Sequence, residues 1–189
     1  MKRLTIFASG SGSNAENIIN YFNSHKTVKV IQVLTNNKNA KVIERCNKLK
    51  IKCLLFDKEQ FYKSDFVLNH LKKTTDYIIL AGFLWKIPEK IINSFPKKII
   101  NIHPALLPKY GGKGMYGNHI HNKVLENKEA KTGITIHYVN KNYDEGAIVF
   151  QKEVLLDKKE TLKGIQEKIH LLEMENFPKI IEKVITTNG

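Results

Sequence analysis

Short apolar runs alternate with amphipathic helical patterns along the first hundred residues. Runs rich in β-branched and aromatic side chains predict strands, and apolar positions three and four residues apart predict helices. Helices are predicted after the first strand, over residues 40–50 and 61–72, and from Pro88. Strands are predicted at residues 3–8, 28–34, 53–56, 77–81 and 98–102. This alternation is typical of βαβ units, whose right-handed crossovers produce a mostly parallel sheet.

A different pattern begins in the second half of the chain. Residues 104–117 form a loop rich in glycine, proline and lysine, and loops of this length usually have a function. Two further strands are predicted at residues 132–139 and 147–155, with a polar turn between them. A last helix is predicted from about Thr161, and we expect Pro178 to kink or restart it.

Together these elements predict one α/β domain over residues 1–189. We expect a doubly wound, mostly parallel twisted sheet of about seven strands, with helices on both faces and a Rossmann-like N-terminal half. The length suits one domain, and a hydrophobic fraction of 42% can form a substantial core.

Lysine dominates the charge of the chain. The 31 lysines and arginines outnumber the 18 acidic residues, which gives a formal net charge of +13. Only Arg3 and Arg45 are arginines, although arginine is the usual residue for gripping phosphates and reading base edges. Because the lysines are spread along the whole chain, a solvated surface is favoured over a nucleic-acid-binding patch.

Cysteine usage and the apolar segments narrow the class of protein further. Cys46 and Cys53 are the only cysteines, and their spacing fits neither a disulfide framework nor a zinc pattern with its second pair of ligands. The apolar run after Lys2 and Arg3 is too short for a signal peptide, and residues 77–85 cover half a membrane span at most. We therefore expect a cytoplasmic protein with no membrane or nucleic-acid partner and no metal.

A glycine loop lies between the first strand and the first helix. Residues 10–15, with the letters GSGSNA, fit the loose dinucleotide fingerprint G-x-G-x-x-A, in which backbone N–H groups approach a phosphate. An NAD site would also need an acidic residue at the end of the second strand, where residues 34–37 have none. A monophosphate site explains the glycine loop and needs no such acidic residue. A turn capped by Ser13 or Asn14 with no ligand is the alternative.

An amide, an imidazole and a carboxylate form the second candidate constellation. Asn101 and His103 end the fifth predicted strand, and their spacing of two lets both aim N–H groups at one developing oxyanion. Asp144 lies in the turn between the later strands, where we expect it to hydrogen-bond His103 and raise the pKa of that imidazole. His137 lies within a strand and is interpreted as a hydrogen-bonded structural residue.

Four motifs in sequence order resemble those of the formyltetrahydrofolate-dependent formyltransferases, most closely the members that act on glycinamide ribonucleotide in purine biosynthesis. The resemblance covers nearly the whole chain. It implies that the substrate amine attacks the formyl carbon of 10-formyltetrahydrofolate, the co-substrate, through a tetrahedral intermediate. The motifs are Gly12-Ser13-Asn14, AGFLW at 81–85, NIHPALLPKY at 101–110, and Thr132-Gly133 with Asp144-Glu145-Gly146 and Gln151.

The resemblance also assigns residues to each part of the site. It implies that Asn101, His103 and Asp144 are catalytic. It places the substrate phosphate on Gly12, Ser13 and Asn14, and the ribose or amine on His170 and Glu173. The residues implied to bind folate are Leu84, Trp85, Lys86, Ile87, Asn140, Lys141, Asn142 and Tyr143. We expect a monomer or a homodimer.

Three alternatives to this function stay open. Methionyl-tRNA formyltransferase shares the motifs but resembles a longer chain with a C-terminal nucleic-acid-binding domain. Formyltetrahydrofolate hydrolase ordinarily carries an additional N-terminal domain. Outside the family, a non-catalytic dinucleotide-binding module would bind NADH and leave His103 and Asp144 without a role.

The chain also departs from the family pattern. Some relatives place an arginine near the start of the third helix for the glutamate end of folate, where this chain has Lys58 and Glu59. Contacts of the folate tail with Lys58, Lys63 or Lys86 are therefore not assigned. Residues 111–117 are longer than in some relatives, and their glycines suggest a lid.

Overall fold

The computed structural model describes residues 1–187, which form one sheet of seven strands between two layers of helices. The strands are β1 (Lys2–Phe7), β2 (Val28–Thr35), β3 (Lys52–Leu55), β4 (Tyr77–Leu80), β5 (Ile99–His103), β6 (Lys131–Tyr138) and β7 (Ile148–Leu155). The helices are α1 (Ser13–Phe22), α2 (Val42–Lys48), α3 (Phe66–Thr74), α4 (Glu89–Ser94), α5 (Asn118–Glu126) and α6 (Leu162–Thr187).

The order of strands across the sheet is β3-β2-β1-β4-β5-β6-β7. Strands β1 to β5 pair in parallel, and β6 and β7 join the far edge in antiparallel orientation. The predicted doubly wound, mostly parallel fold is thus confirmed. Strand order reverses between β1 and β4, and ligands of open α/β sheets bind outside the carboxyl ends of the strands at such a point.

Two apolar cores cover the two faces of the sheet. Helices α1, α2, α5 and α6 pack over one face, and α3 and α4 pack over the other. Because β4 is central and covered on both sides, all four of its residues are buried, as is typical of parallel strands. Cys46 is buried in the first core and Cys53 packs against it, both as free thiols. No helix within residues 1–187 is long and apolar enough to cross a membrane.

Helix α6 runs without interruption through Pro178, contrary to the predicted kink or restart. A proline inside a helix deprives the carbonyl four residues earlier of its N–H partner. Here that carbonyl belongs to Met174, and it accepts a hydrogen bond from Nδ2 of Asn17 on α1 at 2.8 Å. The packing of α1 against α6 therefore replaces the bond that the proline removes.

The structure departs from the predicted helices at two further places, one prediction that is wrong in detail and one helix that was not predicted. The predicted helix over residues 61–72 is divided into a π-helical turn, Glu59–Lys63, and α3. Ser64 separates them because its backbone is extended, with ψ 172°. Helix α5 has no counterpart in the sequence prediction, although Ile120 and Val124 are buried one turn apart on it.

Candidate active site

A cleft of about 830 Å³ opens at the carboxyl ends of β1, β4 and β5, in the size range of small-molecule sites. It brings together most of the residues singled out in the sequence. These are Gly12, Ser13, Asn14, Leu84, Asn101, His103, Tyr143, Asp144, His170 and Glu173.

The glycine loop leads into helix α1, and no side chain among the described residues caps the first backbone N–H groups of that helix. Gly12 precedes the helix with φ 75°, and a Cβ there would lie 2.5 Å from a methyl of Val42 on α2, so only glycine fits. Within the described chain, neither Ser13 nor Asn14 caps the helix through its side chain, which argues against the capping alternative. The first N–H groups of α1 are left for an anion at the positive end of the helix dipole.

The side chain of Asn14 faces helix α6 across the cleft. Its Nδ2 donates a hydrogen bond of 2.8 Å to Oε2 of Glu173, and its Oδ1 is buried with no partner among the described residues. Burial raises the pKa of Glu173 to about 7, although the bond from Asn14 opposes this. The pair therefore offers a ligand an acceptor, Oδ1, and a carboxylate whose charge changes near neutral pH.

Asn101 is oriented by a histidine on the neighbouring strand. Nδ1 of His137 lies 2.9 Å from the carbonyl oxygen of Tyr138, so that nitrogen carries the proton and donates it. The other nitrogen, Nε2, then accepts from Nδ2 of Asn101 at 3.0 Å. This bond uses one N–H of the Asn101 amide and leaves the second N–H free to donate into the cleft.

The ring of His103 is held in the same way by the backbone. Its Nε2 lies 2.7 Å from the carbonyl oxygen of Tyr110, which can only accept, so Nε2 carries the proton. Tyr110 has a left-handed φ of 57° at this point. The remaining nitrogen, Nδ1, lies 3.6 Å from Oδ2 of Asp144. Asp144 is therefore in ion-pair range of a protonated His103, at a distance longer than the predicted hydrogen bond.

Burial lowers the pKa of His103, and this effect outweighs the opposing influence of Asp144 and the Tyr110 carbonyl. Asp144 does raise the pKa of His103, as expected, but the net shift is downward because desolvation is the larger effect. The side chain is only 5% exposed, and desolvation penalises the imidazolium. His121 also has a lowered pKa, through burial and through the proximity of His103.

Asp144 is fixed by contacts on both of its oxygens. Oδ2 accepts the N–H of Gly112 at 2.9 Å, and Oδ1 lies 3.7 Å from Nε2 of His137. Burial raises the pKa of Asp144, but the contacts with His137, His103 and the Gly112 N–H together bring it below its ordinary value. The carboxylate is therefore anionic at neutral pH. Asp144 also has a left-handed φ of 56°, and aspartate tolerates this conformation better than most residues.

The segment after His103 is anchored on the last two strands. Oγ1 of Thr135 donates to the carbonyl oxygen of Ala105 at 2.7 Å and accepts the N–H of Leu107 at 3.0 Å. Gln151 on β7 donates to the carbonyl oxygen of Leu107 at 2.9 Å. The antiparallel extension of the sheet thus fixes the chain that follows β5.

Comparison with known proteins identifies the family. The sequence model of the formyl transferase family matches residues 2–181. The chain belongs to this family. The chloroplastic phosphoribosylglycinamide formyltransferase of Arabidopsis thaliana is 36% identical over 97% of this chain and 67% of that protein. The Bacillus subtilis enzyme of the same name is 33% identical over 100% of this chain and 97% of its own length.

A solved structure agrees with these relatives. The crystal structure of phosphoribosylglycinamide formyltransferase from Bacillus halodurans superimposes with a TM-score of 0.88 at 31% identity, covering 100% of this chain and 97% of that one. The resemblance drawn from the sequence is confirmed, and so is the enzyme class, a formyltransferase. A non-catalytic dinucleotide-binding module is excluded by the family.

The residues predicted to bind folate divide into two groups in this formyltransferase. Leu84 and Tyr143 line the cleft and are 52% and 38% exposed. Ile87 is buried in the second core, and Trp85 packs among aromatic rings with Lys58 above it at 5.8 Å. The residues of the predicted set outside the cleft lining are Trp85, Lys86, Ile87, Asn140, Lys141 and Asn142.

Other residues line the cleft that were not predicted to do so. Residues 112–117 form one wall, and His121 on α5 adds an imidazole whose Nδ1 is buried without a partner among the described residues. Gln166 lines the cleft from α6. His121 is buried beside Ile120 and Val124 on α5, and recognition of this helix from its apolar positions would have revealed it. Within residues 1–187, no group of three or more His, Cys, Asp or Glu side chains is arranged to hold a metal ion.

Proposed function

We propose that this formyltransferase transfers the formyl group of 10-formyltetrahydrofolate to the amine of glycinamide ribonucleotide. The observation that carries the proposal is one cleft in which the Asn101 amide, the His103 imidazole and the Asp144 carboxylate lie opposite a bare helix N-terminus. The three side chains suit acyl transfer, and the helix N-terminus suits binding of a phosphate. The names of the relatives supply the ribonucleotide acceptor, and the resemblance of the motifs implies the formylfolate donor.

The chemical step needs no nucleophile from the protein. The amine lone pair of the ribonucleotide forms a bond to the formyl carbon, and the carbonyl π electrons move to the oxygen. The free N–H of Asn101 and a proton on Nδ1 of His103 stabilise that oxyanion. As negative charge develops beside Nδ1, the pKa of His103 rises, so the imidazole accepts through water the proton that the attacking amine loses.

Asp144 completes the step through its charge. The tetrahedral intermediate collapses when the bond to the folate nitrogen breaks, the amine nitrogen loses a proton and the folate nitrogen gains one. The Asp144 carboxylate, 3.6 Å from Nδ1 of His103, stabilises the imidazolium, and the proton that His103 took from the amine then passes through water to the folate nitrogen. These proton transfers require a resting state in which Asp144 is anionic and His103 is largely neutral.

Substrate binding follows from the two ends of the cleft. The N–H groups of Gly12, Ser13 and Asn14 hold the phosphate, and Glu173 with His170 holds the ribose or amine. The pterin of folate lies against Leu84 and Tyr143, within the wider predicted set at residues 84–87 and 140–143. We place all of this in a single formyltransferase domain over residues 1–189, acting in the cytoplasm with these two small molecules.

A two-substrate assay tests the proposal. Purified protein is mixed with glycinamide ribonucleotide and a 10-formylfolate analogue whose deformylation is followed by absorbance. We expect deformylation only when the amine is present, with formylated ribonucleotide as product by mass spectrometry. Formate released without the amine would identify a hydrolase, and formylation of methionyl-tRNA would identify the other family activity. Either result would replace the proposal.

A further inference from the structure

The wall formed by residues 112–117 ends in a tight turn. The N–H of Met115 donates to the carbonyl oxygen of Gly112 at 3.1 Å, which closes a four-residue turn. Gly114, third in the turn, has φ 86°, the sign that a type II turn requires there and that glycine supplies without strain. Lys113 is therefore held at the tip of the turn, on the wall of the cleft.

Two hydrogen bonds fix where this wall lies. At its start, the N–H of Gly112 is bonded to Asp144. Just beyond its end, Oδ1 of Asn118 accepts a bond of 2.6 Å from Nε2 of Gln166 on α6. The wall thus runs from Asp144 to α6, the helix whose Glu173 we have proposed to hold the ribonucleotide.

Lys113 is the only lysine or arginine on the cleft wall within the part of the chain that the structure describes. Its side chain is exposed and has no ion-pair partner among residues 1–187. The two carboxylates of the cleft have other contacts, Asp144 with Gly112 and the histidines, and Glu173 with Asn14. An unpaired ammonium group at the mouth of a cleft is suited to bind an anion that arrives with the substrate.

We infer that Lys113 binds the phosphate of the ribonucleotide and supplies the positive charge that the glycine loop lacks. This inference rests on the proposed function. The N–H groups of residues 12–14 are neutral donors, whereas a phosphate monoester carries up to two negative charges. Lys113 lines the same cleft as residues 12–14, the space beside Gly112 and Gly114 is open, and a lysine ammonium binds phosphate as a point charge. The carboxylates of folate are the other anions that could reach this lysine.

Steady-state kinetics of Lys113→Gln distinguish the two anions. We expect the KM for glycinamide ribonucleotide to rise about tenfold, as for loss of a charge-assisted hydrogen bond, while the KM for the formylfolate stays unchanged. With glycinamide riboside, which has no phosphate, wild type and variant should react equally. Lys113→Arg should restore most of the affinity. Lys179→Gln, an exposed lysine of α6 outside the cleft, is the control for net charge.

A rise in the KM for the formylfolate alone would assign Lys113 to the folate carboxylates and overturn the inference. An unchanged KM for both substrates would overturn it as well. Calorimetric titration with the ribonucleotide separates this result from failure of the proposed function. If wild type binds the ribonucleotide without formylating it, the function is wrong, yet weaker binding by Lys113→Gln still supports the phosphate contact. Equal binding by the two proteins rejects it.

Discussion

Single side chains in this site are oriented by partners that face away from the substrate. The carbonyl of Tyr138 sets the tautomer of His137, and His137 in turn determines which end of the Asn101 amide points into the cleft. The carbonyl of Tyr110 does the same for His103. Two backbone oxygens therefore determine the direction of both proposed oxyanion donors, and neither oxygen needs to touch the substrate.

Replacement of His137 tests this arrangement of Asn101. His137→Phe keeps a buried ring but cannot accept the N–H, so the Asn101 amide loses its fixed orientation. We expect kcat to fall about tenfold or more, with the KM values of both substrates within about twofold, because the donor acts only in the transition state. His137→Gln, whose side-chain oxygen can accept the same bond, should recover part of the rate. Equal rates for the Phe variant and wild type would remove His137 from the mechanism.

Asp144→Asn tests the proposed charge of that side chain. The amide keeps the shape and the acceptor for Gly112 but cannot stabilise an imidazolium or accept a proton. We expect a loss of about 10²-fold or more in kcat, with affinity for the ribonucleotide changed less than about twofold. Rapid-quench rates and calorimetry measure the two quantities. Asp157→Asn, at a surface carboxylate paired with Lys168, is the matched control.

At the scale of helices and strands, the α1–α6 pair shows how tertiary contacts change local rules. Pro178 should disturb α6, yet the helix continues because Asn17 satisfies the carbonyl that the proline leaves free. No periodicity in the sequence connects two residues so far apart in the chain. The same contact holds α6 in place at the point where it delivers Glu173 to the cleft.

A double-mutant cycle measures the value of that contact. Asn17→Ala leaves the partly buried carbonyl of Met174 without a partner, and we expect it to lower the free energy of unfolding by about 1–2 kcal/mol. Pro178→Ala restores an N–H within the helix. In that background, Asn17→Ala should cost less than half as much. Urea unfolding of the four proteins gives the coupling, and additive effects would show that Asn17 does not compensate for the proline.

The strands were predicted well because their signal is local. Buried parallel strands are continuous apolar runs, and all seven predicted strands overlap those observed. Helix α5 was missed because its apolar face is short. The break between the π-helical turn and α3 was missed because apolar residues continue on both sides of Ser64. In the site, the motif residues were found, whereas the lowered pKa of His103 depends on burial that the sequence does not display.

At the scale of the whole molecule, the net positive charge of the chain favours anions, whereas burial in the cleft disfavours the anionic form of Glu173. The chain carries a formal net charge of +13, which suits anionic substrates. The cleft nevertheless buries a glutamate with a pKa of about 7. Because folded Glu173 binds its proton more tightly than it would in the unfolded chain, its contribution to stability is fully present below about pH 4.5 and is lost as the pH rises to about 7.

Glu173→Gln should therefore stabilise the protein at alkaline pH. The shift corresponds to a penalty on the order of 3 kcal/mol once the carboxylate is ionised, and glutamine avoids it while still accepting a bond from Asn14. In urea unfolding, the advantage of the variant should be small at about pH 5 and grow toward pH 8, while its affinity for the ribonucleotide falls. Glu175→Gln, on the exposed side of the same helix, should show no such trend. A pH-independent difference would contradict the raised pKa.

The bond between Asn14 and Glu173 joins residues 159 positions apart. A ribosome must therefore release almost the entire chain before the glycine loop meets helix α6, and a nascent chain that already has all of its parallel strands still lacks a complete cleft. Substrate can stabilise only the finished protein, by binding to the native state. For this formyltransferase, ligand present during synthesis should protect the completed chain from proteolysis and leave shorter nascent chains unprotected.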